Sequence, residues 1–194
     1  MVKSGLSTRK VVVAAMMTAF VVVFQLLATF TTFFGPFSTA VALVPIVIGS
    51  ALCGIGTGAW LGLVFGIVVL ASGGATLFMV YNIPGTLITV LLKGAACGAA
   101  AGLAYRLLER FNRYLAVLVA AIVCPVVNTG VFLLGGIIFF LKDADAIAAS
   151  LHLGVTGMDV FWVLAMGNFL FELGMNIVIS PVTLKILNLG KKKT

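Results

Sequence analysis

The chain has 194 residues, of which 62% are hydrophobic and only 9% are charged, and its mean hydropathy is +1.28. Soluble domains are nearer half apolar and a quarter charged, so this composition excludes an ordinary soluble protein and predicts one surrounded by membrane lipid. The net charge of +7 could favour nucleic acid. We exclude that partner because the basic residues lie at the ends of apolar segments and leave no soluble domain to hold a duplex.

Six apolar segments follow one another along the chain, and we predict that each is a transmembrane helix of a single all-α membrane domain. Their approximate ranges are 10–30, 38–53, 58–71, 84–107, 114–141 and 159–187. A spanning helix needs about 20 apolar residues, so six helices use nearly the whole chain. The second and third segments are short, so we expect them to tilt or, at Pro45, to kink.

The distribution of basic residues predicts the orientation of this bundle of six transmembrane helices. Ten of the twelve Lys and Arg residues lie at or before the start of the first segment, at the facing ends of the fourth and fifth or between them, or at or after the end of the sixth. Positively charged flanks favour the cytoplasmic side, so we expect both N and C termini in the cytoplasm of a multi-pass cell-membrane protein. Five or seven spans would divide the three basic clusters between the two sides.

Small residues spaced by four occur in three segments and indicate close helix packing. Helices in lipid associate through tight contacts, since lipid tails are as apolar as leucine. The third and fourth segments each carry a glycine stripe and the first carries a weaker alanine pair: Gly58, Gly62 and Gly66, then Gly94, Gly98 and Gly102, then Ala15 and Ala19. We expect the glycine stripes to pack helices of the bundle against one another.

Charged residues at mid-membrane depth are costly and therefore mark candidate functional sites. Lys93 lies near the middle of the fourth segment, and Glu172 lies near the middle of the sixth. Asn168, Glu172 and Asn176 are spaced by four, so they form one polar stripe roughly 12 Å long on a helix face. Asn128 adds a further polar group in the middle of the fifth segment.

Two interpretations of these residues stay open at this point. Lys93 and Glu172 can pair across the bundle while the asparagines bond between helices, or the last three segments can line a polar cavity for a small solute. Tyr81, Asn82 and Trp162 lie near the predicted outer surface. They suit either the mouth of a substrate pocket or an anchor at the membrane interface.

No motif predicts an enzyme, a metal or a cofactor. The chain has no G-x-x-x-x-G-K-[ST] phosphate loop, so we do not expect it to hydrolyse ATP itself. His152 is the single histidine, and neither a G-x-S-x-G serine nor an H-E-x-x-H helix occurs. Cys53, Cys97 and Cys124 are scattered through apolar segments and are interpreted as core residues.

The chain resembles a known family over essentially its whole length. The short basic N-terminus, the Ala15 and Ala19 face, the six spans and the polar last helix resemble the substrate-binding membrane subunits (S components) of energy-coupling factor vitamin transporters. The pantothenate-type subunits are the ones it resembles most, in the stripe from Asn168 to Asn176 and in residues 34–37, 44–49, 58–62 and 124–130.

The resemblance implies partners and a transport mechanism. A transmembrane coupling protein and two cytoplasmic ATPases would form a complex with this chain, and Ala15 and Ala19 would dock on the coupling protein. ATP hydrolysis by the partners would drive reorientation of the whole subunit in the membrane. A cavity near the outer side, closed by the first and third outer loops, would bind a small water-soluble vitamin.

In a pantothenate site, Lys93 would bind the carboxylate, and Asn128, Asn168 and Asn176 would bind the amide and hydroxyl groups. Glu172 would contact the substrate too, but it would repel a carboxylate unless it is paired or protonated. Three rival hypotheses stay open: an S component for another vitamin such as riboflavin or folate, a self-contained small-solute permease, and a structural membrane protein whose polar residues only join helices.

Overall fold

Helices make up almost all of the described chain, as a membrane environment requires. The computed structural model describes residues 8–31 and 41–191, and helix accounts for 87% of them, with no strand in those ranges. Lipid offers no hydrogen-bond partners, so an apolar chain adopts helices, which pair their own backbone groups. The predicted all-α fold class is therefore confirmed.

Within these ranges the chain forms eight α-helices: α1 Thr8–Thr31, α2 Leu43–Cys53, α3 Ile55–Ala71, α4 Thr76–Met79, α5 Ile83–Leu108, α6 Arg113–Gly135, α7 Ala144–Ser150 and α8 Asp159–Lys191. A π-helical turn, Gly136–Phe140, and a 3-10 turn, Leu141–Asp143, join α6 to α7. The short helices α4 and α7 lie between predicted segments, α4 between the third and fourth and α7 between the fifth and sixth.

Four helical stretches are long and apolar enough to cross a membrane: Thr8–Thr29, Ile83–Leu108, Arg113–Ser150 and Asp159–Ile186. The helices α2 and α3 are also apolar but have only 11 and 17 residues. Each predicted segment thus contains a helix, although residues 38–40 of the second segment lie outside the described ranges. The count of six spans and the cytoplasmic termini depend on the membrane as well as on the helices, and both stay predictions.

The short helix α2 lies at the centre of the bundle. Its residues from Leu43 to Ser50 are all buried, and it contacts α1, α3, α5, α6 and α8. Pro45 lies in its first turn, where backbone N–H groups have no helical partner, so the proline breaks no hydrogen bond. Pro45 therefore marks the start of α2 and not a kink within it.

The helices α3 and α5 run antiparallel and meet along their glycines, which confirms the packing that the stripes predicted. Gly58 faces Gly98 and Gly62 faces Gly94, and a Cβ atom on any of the four would overlap backbone atoms of the facing glycine. A Cβ atom on Gly66 would lie 2.9 Å from the carbonyl oxygen of Val90. We call this contact the glycine seam: Gly58, Gly62 and Gly66 of α3 with Gly94, Gly98 and Gly102 of α5.

A small apolar cluster covers one end of the bundle. It contains Phe140 from the π-helical turn, Ile147 from α7 and Phe161 from α8. The ring of Phe78 in α4 packs edge-on against the rings of Phe140 and Phe132, with centroid distances of 5.3 and 5.5 Å. The helices α4 and α7 therefore lie over the end of the bundle that the charge pattern predicts to be outside the cell.

Candidate functional site

A cavity of about 310 Å³ lies between the helices beside this apolar cluster. Side chains from α1, α3, α4, α5, α6 and α8 form its walls. The walls combine aromatic rings with polar groups: Phe65, Phe78, Phe132 and Phe140, and Gln25, Thr29, Thr86, Thr89, Lys93, Asn128, Thr129, Asn168 and Glu172. Apolar walls with a small number of placed polar groups are typical of small-molecule sites.

Helix α5 brings three polar side chains to the cavity because their spacing places them on one helix face. Thr86, Thr89 and Lys93 are separated by three and four residues. Asn82 caps the helix, since its Oδ1 accepts a hydrogen bond from the backbone N of Gly85 at 2.9 Å. The hydroxyl of Thr86 donates to the backbone O of Asn82 at 2.7 Å, so the cap and the cavity wall are built from one turn.

The ammonium group of Lys93 lies over two aromatic rings. Its Nζ atom is 5.5 Å from the ring centre of Phe132 and 6.0 Å from that of Phe65. Cation–π contacts of this kind stabilise a cation by about 0.5–2 kcal/mol without using its hydrogen-bond donors. Glu172 attracts Lys93 electrostatically, but no direct ion pair joins the two side chains in the described structure. The cavity thus presents the side-chain nitrogen of Lys93, which an anionic group can approach.

Asn128 and Glu172 join α6 to α8 at the cavity wall. Both side chains are buried, with 4% of their surface exposed. The Nδ2 atom of Asn128 donates to Glu172, at 3.1 Å from Oε2 and 3.4 Å from Oε1. One interpretation of the sequence named Lys93 as the partner of Glu172. In the structure the direct partner is Asn128, and a buried carboxylate left without any partner would strongly destabilise the bundle.

Three buried side-chain oxygens at the cavity have no hydrogen-bond partner among the described residues. They are Thr89 Oγ1, Asn128 Oδ1 and Asn168 Oδ1, which come from α5, α6 and α8 respectively. Buried polar atoms in native proteins are nearly always paired, because an unpaired one costs about 1–3 kcal/mol. Three such atoms around one cavity, together with a lysine, indicate a site that a polar ligand completes.

The structure brings together four of the residues that the sequence analysis singled out. Lys93, Asn128, Asn168 and Glu172 all line the cavity. Asn176 is not among the lining residues, because it is buried beyond Glu172 and its Nδ2 donates to the backbone O of Glu172 at 2.8 Å. This placement gives no support to a contact between Asn176 and a substrate. The binding roles of the other four stay predictions.

The three residues expected near the pocket mouth are not among those that line the cavity. Asn82 has both polar atoms engaged, since it caps α5 and its Nδ2 donates to the backbone O of Phe139 at 3.3 Å. Tyr81 packs against the apolar cluster, and Trp162 lies on α8 with 48% of its surface exposed. None of the three lines the cavity. The position of Trp162 agrees with the interfacial-anchor interpretation.

Sequence analysis did not single out Gln25, Thr29 or Thr89, all of which line the cavity. Gln25 is 4% exposed, and the hydroxyl of Thr29 lies 3.0 Å from Ser72 Oγ, so it connects α1 to the segment after α3. Two signals in the sequence identify these residues in retrospect. Gln25 is a strongly polar residue inside a long apolar run, and Thr89 lies one turn before Lys93 on the same helix face.

The segment between α3 and α5 contributes to the cavity wall. Residues 73–75 and Leu77 line it, and so does Leu151, which lies between the fifth and sixth predicted segments, in the third outer loop. The resemblance assigned closure of the cavity to the first and third outer loops. Residues 32–37 of the first loop lie outside the described ranges.

Ala15 and Ala19 lie on the outward face of α1. Both are exposed, while Met17 and Val21 on the other side of the helix are buried in the core. Exposed small residues on a membrane helix leave a surface that a second helix can approach closely. The predicted docking role of the two alanines is compatible with this position and stays a prediction.

Comparison with known proteins identifies the family. A family model described as "ECF transporter, substrate-specific component" matches residues 9–187 and so includes every residue that lines the cavity. No curated protein and no solved structure matched the chain. Members of this family are transporter subunits and not enzymes, and they work with a partner module that contains ATPases. The chain belongs to the substrate-specific components of energy-coupling factor transporters and is a multi-pass membrane protein.

Proposed function

We propose that this chain is the pantothenate-binding subunit of an ATP-driven uptake transporter whose coupling protein and two ATPases are separate chains. The observation that carries the proposal is the cavity that Lys93 lines together with three oxygens, on three helices, that have no partner among the described residues. Pantothenate has complementary groups: a carboxylate for the ammonium of Lys93, and two hydroxyls and an amide N–H that can donate to the unpaired oxygens.

The size of the cavity favours pantothenate over riboflavin and folate. Pockets for small molecules enclose about 300–1,000 Å³, and the cavity of about 310 Å³ lies at the lower end of that range. Riboflavin and folate contain rigid fused rings and need a longer, flatter slot. Pantothenate is a flexible chain without a ring and can bend around the rings of Phe65 and Phe132.

Glu172 does not exclude an anionic substrate. Its carboxylate accepts hydrogen bonds from Asn128, and the positive charge of Lys93 lies on the same cavity. A substrate carboxylate bound at Lys93 gains a charge-assisted hydrogen bond in a site with little water, where such bonds are strong.

The proposal includes six spans with both termini in the cytoplasm, so that the cavity faces outward and α7 lies outside. Single cysteines at Phe111 and Asp145, both exposed positions, test this orientation by accessibility labelling in intact cells. We expect labelling of the Asp145 position from outside and of the Phe111 position only after permeabilisation. Labelling of both positions from the same side would rule out the six-span orientation.

The test of the substrate uses the purified chain in lipid nanodiscs. Isothermal titration with pantothenate, riboflavin and folate should give saturable binding with pantothenate alone, and mass spectrometry should find pantothenate among small molecules that survive purification. Uptake into vesicles should require the coupling protein and hydrolysable ATP. Uptake by the chain alone would indicate a permease, and binding of another vitamin would reject pantothenate while leaving the family assignment in place.

A further inference from the structure

Asn128 presents one side of its amide to the cavity, and Glu172 determines which side that is. The Nδ2 atom of Asn128 donates to the two carboxylate oxygens of Glu172 at 3.1 and 3.4 Å. Both carboxylate oxygens of Glu172 serve as acceptors for this amide, so turning the amide around would set the oxygen of Asn128 against the oxygens of Glu172. The Oδ1 atom of Asn128 is therefore kept away from Glu172, and it is buried without a partner among the described residues.

Two other polar groups of the cavity are an acceptor on α8 and a cation on α5. Asn168 lies one turn before Glu172 on α8, and its Oδ1 atom is also buried and unpaired in the described structure. Lys93 on α5 is a cationic donor that lies over the rings of Phe65 and Phe132. The walls from α6 and α8 therefore offer hydrogen-bond acceptors, and the wall from α5 offers a cation.

We propose that Glu172 is a positioning residue that orients the amide of Asn128, so that the cavity selects a substrate with an anionic group for Lys93 and with hydroxyl or N–H donors for Asn128 and Asn168. The inference rests on the proposed function, because it takes pantothenate as the substrate that brings these donors. A substrate with a carbonyl or ether oxygen in place of a hydroxyl would set acceptor against acceptor and leave one of the two buried oxygens unpaired.

The first part of the test removes donors from the ligand and leaves the protein intact. The probes are pantothenate, the ketone obtained by oxidising its secondary hydroxyl, and the analogue with hydrogen in place of its primary hydroxyl. Dissociation constants are measured by isothermal titration with the full chain in nanodiscs. The ketone should bind about tenfold or more weakly than pantothenate, because its carbonyl oxygen then faces a buried acceptor that stays unpaired.

The second part changes the positioning residue. In Glu172→Gln the side-chain amide can donate as well as accept, so Asn128 can turn and present its N–H groups to a ketone. The preference for pantothenate over the ketone should fall to within about threefold in this variant, because Asn128 can then offer either an acceptor or a donor to the ligand. A merely structural role of Glu172 would weaken all three ligands together and leave their ratios unchanged.

The matched control is Ser180→Ala on the same helix. Ser180 is buried, its hydroxyl donates to the backbone O of Ile177 at 2.8 Å, and it does not line the cavity. Ser180→Ala should keep the affinity and the ligand ratios of the wild-type chain. If Glu172→Gln does not fold, Asn128→Leu replaces it in the test. This variant removes the acceptor itself and should abolish the preference for pantothenate over the ketone. If neither folds, the wild-type ratios decide alone.

The outcomes separate the inference from the proposed function. Equal binding of all three ligands by the wild-type chain, or unchanged ratios in a folded Glu172→Gln variant, overturns the inference and leaves pantothenate as the substrate. Loss of the preference in Ser180→Ala as well would assign the effect to α8 in general and would also overturn it. Absence of binding to all three ligands rejects the proposed function, and the inference falls with it.

Discussion

The two halves of helix α5 differ in how much space neighbouring groups leave beside them. The later half, from Gly94 to Gly102, belongs to the glycine seam, where a Cβ atom on either of those glycines would collide with the backbone of α3. The earlier half carries Thr89 and Lys93 and lines the cavity, where the hydroxyl of Thr89 has no partner among the described residues. One helix therefore contains a region with no free space and a region with free space and unpaired polar atoms.

The difference shows how a membrane protein without a hydrophobic driving force between helices can keep a polar site. Backbone contact in the glycine seam supplies many van der Waals contacts, each weak but numerous, and these fix α5 against α3. Each unpaired oxygen at the cavity costs about 1–3 kcal/mol, so the site needs a rigid support of this kind. Three predictions test whether the seam supports the fold and the cavity supports binding, and a fourth compares the seam with the small residues on the surface of α1.

The largest effect is expected in the glycine seam. Gly62→Leu places a side chain where the backbone of Gly94 lies, and neither backbone can move far without separating α3 from α5. We expect loss of folded, monodisperse protein in size-exclusion chromatography, since overpacking by even small groups costs about 1–3 kcal/mol and leucine adds four carbons. A normally folded Gly62→Leu variant would contradict the tight contact.

The control for this prediction is a helical glycine without neighbours. Gly174 lies in α8, and a Cβ atom placed on it would meet nothing within 4 Å. Gly174→Ala should fold as well as the wild-type chain or be more stable by about 0.5–1 kcal/mol, because alanine favours a helix interior over glycine. The comparison separates the effect of the seam from the effect of losing a glycine.

The second-largest effect is expected when small residues on the surface of α1, and not in the glycine seam, are enlarged. Ala15→Leu with Ala19→Leu enlarges an exposed face of α1, so the melting temperature and pantothenate affinity of the isolated chain should not change. Association with the coupling protein should weaken by about 1–3 kcal/mol for each position, because a close helix contact cannot accept the added volume. The measurement is the yield of the co-purified complex. An unchanged yield would remove Ala15 and Ala19 from the docking face.

The glycine seam was predictable from the sequence because its signal is local. Glycines four residues apart lie on one face of any helix, whatever surrounds it, so the tight contact of α3 and α5 needed only the helix period. Asn82 also carries a local signal that sequence analysis did not use. An asparagine two residues before Pro84 and three before Gly85 is typical of a helix N-cap, and the structure shows that cap.

The polar pairs were not predictable because they depend on how helices are rotated against one another. Charge alone suggested that Lys93 is the partner of Glu172. In the structure the rotation of α6 and α8 places Asn128 against that carboxylate. Spacing suggested that Asn168 and Asn176 share a face. Eight residues turn a helix by about 80° beyond two full turns, which is enough to take Asn176 out of the cavity wall.

A double-mutant cycle at Lys93 and Glu172 measures the charge in the cavity. Lys93→Met should weaken pantothenate binding about 10- to 100-fold, because a hydrogen bond to a charged group is worth about 1.5–3 kcal/mol. Glu172 then remains as a buried charge without a nearby cation, so this variant should also melt at a lower temperature. In the double variant Lys93→Met with Glu172→Gln we expect stability to recover and binding to stay weak. Recovery of binding would mean that Lys93 only neutralises Glu172.

The smallest effect is expected at Thr89, where stability and affinity should change in opposite directions. Thr89→Val keeps the shape of the side chain and removes the Oγ1 atom that has no partner in the described structure. The substrate-free chain should therefore be unchanged or stabilised by about 1 kcal/mol, since a buried unpaired oxygen is gone. Pantothenate affinity should fall about fivefold, because one hydrogen bond to the substrate is lost.

Thr183→Val is the matched control: Thr183 is buried, donates to the backbone O of Ile179 at 3.3 Å and does not line the cavity. It should leave affinity unchanged, since its hydroxyl already has a partner away from the cavity. A lower melting temperature for Thr89→Val with unchanged affinity would show that the hydroxyl serves the fold, as the seam does, and would remove Thr89 from the binding site.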